Sequence, residues 1–270
     1  MSTIVVAALI ILFFLTSVVG VVTGSNSLIT VPVMFQFGIP EKEAVATNMF
    51  GLVFMAIGGT IPFVRARVIR FRRTSPLVIM TIVSSAIGAA LVGFITNQSI
   101  KLIVSVAMIV VALFILVRQK YLPRRTQNVV GSPRLEVRRP APTLWSGGFN
   151  WVVMLGYVLT FVLGIYGGLY SGGYVTILTA VFVAFLGMSF GEAVAATKWI
   201  NVFSSSVATI VFMWQGLVNY KLGMILGLTM FVGAYAGAHY AAKMNDTLLR
   251  RIFLSTVVLL AAKTFYDLLF

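Results

Sequence analysis

The chain of 270 residues contains no cysteine and little charge: 10% of its residues are charged, and only six are acidic. Without cysteine, disulfides and thiolate metal sites are excluded. There is one histidine, and no Walker motif, metalloprotease signature or nucleophile elbow is present. We therefore expect no cofactor, no metal site and no enzyme activity, and nothing in the sequence indicates the use of ATP.

Most residues of the chain are apolar. Hydrophobic residues make up 60% of the chain, and the mean hydropathy is +1.03. Apolar runs recur along the whole length, and a transmembrane helix needs about 20 such residues. The first run, Ile4–Val22, has neither a basic region before it nor a convincing cleavage site, so we expect a retained membrane helix. The predicted fold class is all-α, a polytopic membrane protein.

The apolar segments form two groups of five. They are Ile4–Val22, Leu28–Phe37, Ala46–Val64, Pro76–Thr96 and Ile100–Val117, then Trp151–Gly168, Tyr174–Leu186, Ala193–Trp214, Leu222–Ala242 and Leu248–Leu269. A basic stretch with several prolines separates the groups. We predict a first membrane repeat over 1–117, a basic cytoplasmic linker over 118–144 and a second membrane repeat over 145–270. The second segment of each half is too short to cross a core of about 30 Å, so we predict discontinuous short helices there.

Two related stretches of sequence support the division into repeats. Glu43–Asn48 reads EAVATN, and Glu192–Asn201 reads EAVAATKWIN. Each follows a glycine-rich break and a short apolar segment; the breaks are Gly24–Ser27 and Gly167–Gly173. The halves therefore have the same order of features, a broken apolar segment followed by a helix that carries polar residues.

The net charge of +14 could suggest nucleic acid, but the basic residues lie between apolar runs. The two main clusters are Arg65–Arg73 and Arg118–Arg139. Cytoplasmic loops of membrane proteins carry such an excess of Lys and Arg. We therefore expect membrane lipid as a partner and no nucleic acid, and a multi-pass protein of the cell inner (cytoplasmic) membrane.

The distribution of charge differs between the halves. In the first half the basic loop follows the third segment, at Arg65–Arg73. In the second half only Lys221 lies there, and Lys243, Arg250 and Arg251 follow the fourth segment. If basic loops are cytoplasmic, the halves have opposite orientations. This holds for five crossings in each half, and equally for three with the broken pair re-entrant. We predict an inverted repeat, in which a site would lie between the halves.

Two runs of sequence resemble signatures of the TauE/SafE (sulfite exporter-like) family. They are GVVTGSNSLITVPVMFQFGIPEKEAVATN, ending at Asn48, and GIYGGLYSGGYVTILTAVFVAFLGMSFGEAVAATKWIN, ending at Asn201. Each combines a glycine-rich turn with an Ala-Thr-Asn or Ala-Thr-Lys step. The resemblance covers both halves. It implies transport of a small sulfur-containing anion such as sulfite, sulfoacetate or a related organosulfonate, usually outward.

Lys198 is the cation that we place deepest in the membrane, about two helical turns after Glu192. A lysine at the centre of a membrane helix costs about 2.5–3.5 kcal/mol on insertion scales, and a bound anion would supply the missing counter-charge. The alternatives are a lysine whose amine reaches the interface, or a structural pair with Glu43 or Glu192.

Other candidate residues surround these features. Thr197 and Asn201 form a polar stripe with Lys198, and Thr47 and Asn48 occupy equivalent places in the first half. Short helices that begin after the breaks would direct N–H groups and a positive dipole end at an anion. The alternative is that these small and polar residues only pack helices together. The predicted substrate-binding residues are Ser27, Thr47, Asn48, Gly172, Gly173, Thr197, Lys198 and Asn201.

We predict a secondary transporter that moves a small anion, outward by preference. An anion channel, and an intramembrane enzyme or assembly protein without carrier activity, are the rival hypotheses. The substrate itself and the coupling ion do not follow from the sequence, which also allows a homo-oligomer.

Overall fold

The computed structural model describes residues 3–24, 26–121 and 151–240, and every regular element within them is an α-helix. The helices are α1 Thr3–Thr23, α2 Ser27–Gln36, α3 Glu41–Arg65, α4 Phe71–Phe94, α5 Asn97–Tyr121, α6 Trp151–Leu169, α7 Tyr174–Ala184, α8 Phe190–Trp214 and α9 Tyr220–Tyr240. The predicted linker begins at residue 118, whereas α5 continues to Tyr121. The rest of the linker and the predicted segment Leu248–Leu269 lie outside the described residues.

Six of the described helices are long and apolar enough to cross a membrane: α1, α3, α4, α6, α8 and α9. Their outward surfaces carry large apolar side chains, such as Ile4, Ile79 and Val158, which are exposed on the isolated chain. Polar residues lie inside the bundle; Thr160 and Asn201 are both buried. Apolar side chains outside and polar ones inside are the distribution expected of a protein in lipid. It confirms the prediction of an all-α polytopic membrane protein.

The two predicted breaks are present, and each contains a glycine that the turn requires. Gly24, between α1 and α2, and Gly173, directly before α7, both have φ of +77°, a backbone conformation that is favourable only for glycine. The helices that follow have 10 and 11 residues. At 1.5 Å per residue each is about 15 Å long, roughly half of the apolar core.

Helices α1, α3 and α9 run in the same direction. Between α3 and α9, Gly223 packs against Phe50, and Gly58 packs against Phe231 farther along both helices. Between α1 and α9, Gly233 lies against Phe14, and Gly237 lies against Val18. Residue numbers rise together along both contacts, so the three helices are parallel. Glycine on α9 allows the backbones to approach closely.

Helices α4, α6 and α8 form a second parallel group. Ser84 of α4 contacts Gly164 of α6, and Gly88 lies against the carbonyl of Ile165. Between α4 and α8, Oγ of Ser85 donates to the carbonyl oxygen of Ser204 at 2.8 Å. Toward the far end of both helices, Nε2 of Gln215 donates to the carbonyl oxygens of Ala89 and Ala90 at 3.3 and 3.2 Å.

The two groups run in opposite directions, as contacts between α3 and α8 show. Glu43, at the start of α3, accepts a hydrogen bond at 2.8 Å from Nδ2 of Asn219, which follows the end of α8. Glu192, at the start of α8, accepts one at 2.9 Å from Nη1 of Arg73, which follows the end of α3. In both cases, a residue of one half donates a hydrogen bond to the carboxylate at the start of the third helix of the other half. These contacts support the predicted inverted repeat, which itself stays a prediction.

Loss of the Glu192 carboxylate should destabilise the bundle. Glu192 and Arg73 are 15% and 18% exposed, between a surface ion pair and a fully buried one, and Arg73 also donates to the carbonyl oxygen of Leu186. We expect Glu192→Gln to cost about 1–3 kcal/mol and to lower Tm in detergent. Glu41→Gln is the matched control, in the first turn of α3. Equal Tm values for the two variants would contradict the structural role of this pair.

Cysteine labelling tests the opposite orientation of the halves directly, because the chain has no cysteine of its own. Arg72 at the start of α4 and Lys221 at the start of α9 are both exposed. We expect Arg72→Cys and Lys221→Cys to react with a membrane-impermeant maleimide from opposite sides of the bilayer. Reaction of both variants from one side would eliminate the inverted repeat.

Candidate functional site

A small cavity lies where the two breaks meet the middle of the bundle. Its volume is about 20 Å³, room for about one water molecule. Its lining includes Gly20 of α1, Gly24, Asn26 and Ser27 of the first break, Ser171 of the second break and Val175 of α7. It is completed by Leu52, Met55 and Ala56 of α3 and by Lys198 and Asn201 of α8. Of the predicted site residues, the cavity therefore brings together Ser27, Lys198 and Asn201.

Lys198 is the one charged residue that lines this cavity among the described residues. Its side chain is 5% exposed, so the interpretation of a lysine that reaches the interface does not fit. Its Nζ donates to the carbonyl oxygen of Gly20 at 3.4 Å, which is long for a hydrogen bond.

The structural pair predicted as an alternative for Lys198 is not formed either. Glu43 interacts with Asn219, and Glu192 pairs with Arg73 and Arg70. Across the described ranges 3–24, 26–121 and 151–240, Lys198 has no carboxylate within ion-pair distance. A buried ammonium without a counter-charge is costly.

Asn26 places a second polar side chain at the cavity. It is 4% exposed, and neither Nδ2 nor Oδ1 makes a hydrogen bond within the described part of the chain. Asn26 stands at the N-cap of α2 but forms no side-chain cap there, although asparagine is among the residues most favoured for capping. Its amide is therefore free to bind a molecule in the cavity.

Ser27 lines the cavity and is hydrogen-bonded to residues of both halves. Its Oγ accepts a hydrogen bond from Nδ2 of Asn48 at 2.9 Å, and its carbonyl oxygen accepts one from the hydroxyl of Tyr170 at 3.0 Å. Tyr170 belongs to the second break and is fully buried. The start of α2, with the positive end of its dipole, is thus fixed against the cavity by residues of both halves.

Three predicted site residues form hydrogen bonds with other protein groups and lie outside the cavity lining. Asn48 donates to Ser27, and its Oδ1 accepts from Oγ1 of Thr30 at 2.7 Å. Thr47 accepts from the backbone N–H of Asn219 at 3.0 Å. Thr197 donates to the carbonyl oxygen of Val194 and lies 3.3 Å from the hydroxyl of Thr179. As substrate contacts these three residues stay predictions.

The two predicted glycines shape the second break. The carbonyl oxygen of Gly172 accepts a hydrogen bond from the hydroxyl of Tyr166. Gly173 is the left-handed residue before α7, and Val111 of α5 packs against its Cα. Neither lines the cavity in this structure, although Ser171, next to them, does. Their contact with substrate also stays a prediction.

Sequence reasoning missed several lining residues. Asn26 lay within the first break, and an asparagine directly before a short apolar run is a recognisable N-cap signal. Ser171 lay within the second break in the same way. Leu52, Met55 and Ala56 gave no such signal, because apolar residues on an apolar helix do not reveal which face meets a cavity.

The family described as "Sulfite exporter TauE/SafE" matches residues 9–264. The chain belongs to this family. It is 24% identical over 263 residues to the "Probable membrane transporter protein ORF9" of Sinorhizobium sp., covering 97% of this chain and 92% of that protein. No solved structure matches the chain.

Two further relatives carry similar names. The "Probable membrane transporter protein YfcA" of Escherichia coli K12 is 24% identical over 261 residues, covering 95% of this chain and 89% of the relative. A "Probable membrane transporter protein" of Haemophilus influenzae is 23% identical over 254 residues, covering 94% and 92%. The chain is thus a multi-pass member of a membrane transporter family, as its resemblance to the family predicted.

Substitution of Asn48 separates a structural role from a role in binding. Asn48→Leu leaves the hydroxyls of Ser27 and Thr30 without this buried partner, which should cost about 1–3 kcal/mol and lower Tm. Thr209→Val is the control, since the hydroxyl of Thr209 has no partner in the described structure and its loss should leave Tm nearly unchanged. An unchanged Tm for Asn48→Leu, with weaker anion transport, would instead favour the predicted substrate contact.

Proposed function

We propose that this TauE/SafE protein is a secondary transporter that exports a small sulfur-containing anion, such as sulfite or an organosulfonate, across the cytoplasmic membrane. The observation that carries the proposal is Lys198, an ammonium group buried beside a cavity with no carboxylate partner among the described residues. A bound anion would remove the cost of leaving that charge unpaired.

The groups around Lys198 suit an oxyanion. The amide of Asn26 offers two N–H donors, and the hydroxyls of Ser27 and Ser171 can each donate one hydrogen bond. Charge-assisted hydrogen bonds of this kind are about twice as strong as neutral ones. Several short donors around one cation match the three oxygens of a sulfite or sulfonate group. The names of the relatives say only that they are probable transporters, so the anion is a proposal from chemistry and from the family description.

The size and position of the cavity favour a carrier over a channel. The cavity has room for about one water molecule, and residues of both halves line it. Binding of a sulfonate, which is larger than water, would therefore require the lining residues of the two halves to move apart. Two oppositely directed halves that hold one site between them can expose it to either side in turn.

The membrane potential supplies a driving force without ATP. In a cell with a negative interior, moving one negative charge outward releases about 2.3 kcal/mol per 100 mV. This favours export of a singly charged anion. Co-transport of a proton would change the stoichiometry, and the direction of transport depends on it.

Flux of radiolabelled sulfite in proteoliposomes tests the role of Lys198. Loss of a charge-assisted hydrogen bond costs about 1.5–3 kcal/mol, so we expect Lys198→Ala to reduce flux at low substrate concentration about 10- to 100-fold, and Lys198→Arg to retain part of it. Lys221→Ala is the control, because Lys221 is exposed at the start of α9. Tm of each variant shows whether it is folded.

Two results would count against the proposal. Wild-type flux in a folded Lys198→Ala variant would remove the role of this residue. Flux that never saturates with concentration would favour the anion channel instead.

A further inference from the structure

We propose that the cavity selects a singly charged oxyanion that carries its own hydrogen-bond donor, such as hydrogensulfite or a hydroxyalkylsulfonate, and discriminates against doubly charged anions such as sulfate and thiosulfate. This inference rests on the proposed function and specifies its substrate class. Two independent observations carry it: the charge at the cavity and the unpartnered amide of Asn26.

The first observation is the balance of charge. Among the described residues, Lys198 alone brings a full charge to the lining; the other residues there are glycine, serine, asparagine or apolar. Glu192, the acidic residue in the first turn of α8, is already paired with Arg73 at 2.9 Å. One unit of negative charge on the ligand would therefore neutralise the cavity.

The helix dipoles do not change this balance of charge at the cavity. The first break brings the end of α1 to the cavity at Gly20 and Gly24 and the start of α2 at Ser27. The second brings the end of α6 and the start of α7, near Ser171 and Val175. A helix end carries about −0.5 charge and a helix start about +0.5, so the partial charges at each break roughly offset one another. A second negative charge on the ligand would remain uncompensated in a buried site, which is costly.

The second observation is the amide of Asn26. Both Nδ2 and Oδ1 lack a partner in the described structure, so the presence of one free donor and one free acceptor does not depend on which way the amide is oriented. Nδ2 can donate to an anion oxygen, but Oδ1 can only accept. A fully deprotonated oxyanion has no donor to offer and would leave this buried acceptor unsatisfied, whereas a hydroxyl on the ligand would satisfy it.

Competition against radiolabelled sulfite in proteoliposomes tests both parts. Ethanesulfonate and 2-hydroxyethanesulfonate are both singly charged and differ by one hydroxyl; sulfate and thiosulfate carry two charges. We expect the two sulfonates to compete at least about tenfold better than either dianion, since leaving a buried charge uncompensated costs more than the 1.4 kcal/mol of a tenfold ratio. The hydroxyl should improve competition about 3- to 10-fold, the range of one neutral hydrogen bond.

The variant Asn26→Leu tests whether Asn26 causes the preference for a ligand that carries a hydrogen-bond donor. The variant should lose the advantage of 2-hydroxyethanesulfonate over ethanesulfonate and keep the preference for single charge, because Lys198 is unchanged. Thr209→Val, buried and outside the cavity lining, should keep both preferences. If Asn26→Leu does not fold, the competition series on the wild-type protein still tests the proposal.

The outcomes separate this inference from the proposed function. Competition by sulfate or thiosulfate equal to that of the sulfonates, with saturable sulfite flux intact, would overturn the charge selection and leave the transporter standing. Equal competition by the two sulfonates would overturn the donor preference. Absence of any sulfite flux in folded protein would overturn the proposed function, and this inference with it.

Discussion

Within a membrane, every backbone polar group must find its partner inside the protein, and this requirement governs how the two helix breaks are built. The carbonyl oxygen of Ser27 accepts a hydrogen bond from the hydroxyl of Tyr170, and that of Gly172 accepts one from Tyr166. Lys198 donates to the carbonyl of Gly20. The bond from Tyr170 to Ser27 joins the two breaks directly and helps to hold them at one place in the bundle.

The same requirement explains why polar side chains collect around the breaks and stay away from the outer surface. A hydroxyl on a helix can satisfy itself on its own backbone, as buried Thr160 does with the carbonyl oxygen of Gly156 at 2.7 Å. An amide or an ammonium needs more partners than its own helix offers. Among the described residues the amide of Asn26 has no partner, and the ammonium of Lys198 has only the long contact with Gly20. In the proposed function a ligand is the partner of both.

The fold could be predicted from the sequence because its signals are local. Apolar length gives the helices, and a glycine-rich run followed by a short apolar segment gives each break. The positions of side chains around the cavity depend on how the helices rotate against one another, which no local pattern contains. Lys198 was predictable because a cation is exceptional in an apolar helix. Asn48 is also a polar residue in an apolar helix, but in the structure its amide is hydrogen-bonded to Ser27 and Thr30 of α2.

That contrast also bears on how the two predicted repeats would hold the single site that we propose. When the repeats are aligned on Thr47 and Thr197, Asn48 corresponds to Lys198. In the first half, the amide binds Ser27 and Thr30 of the short helix that precedes it. In the second half, an amine too long and too charged for that arrangement reaches across to α1 of the other half. At this pair of aligned positions the two predicted repeats therefore differ by one charged side chain, which belongs to the second half.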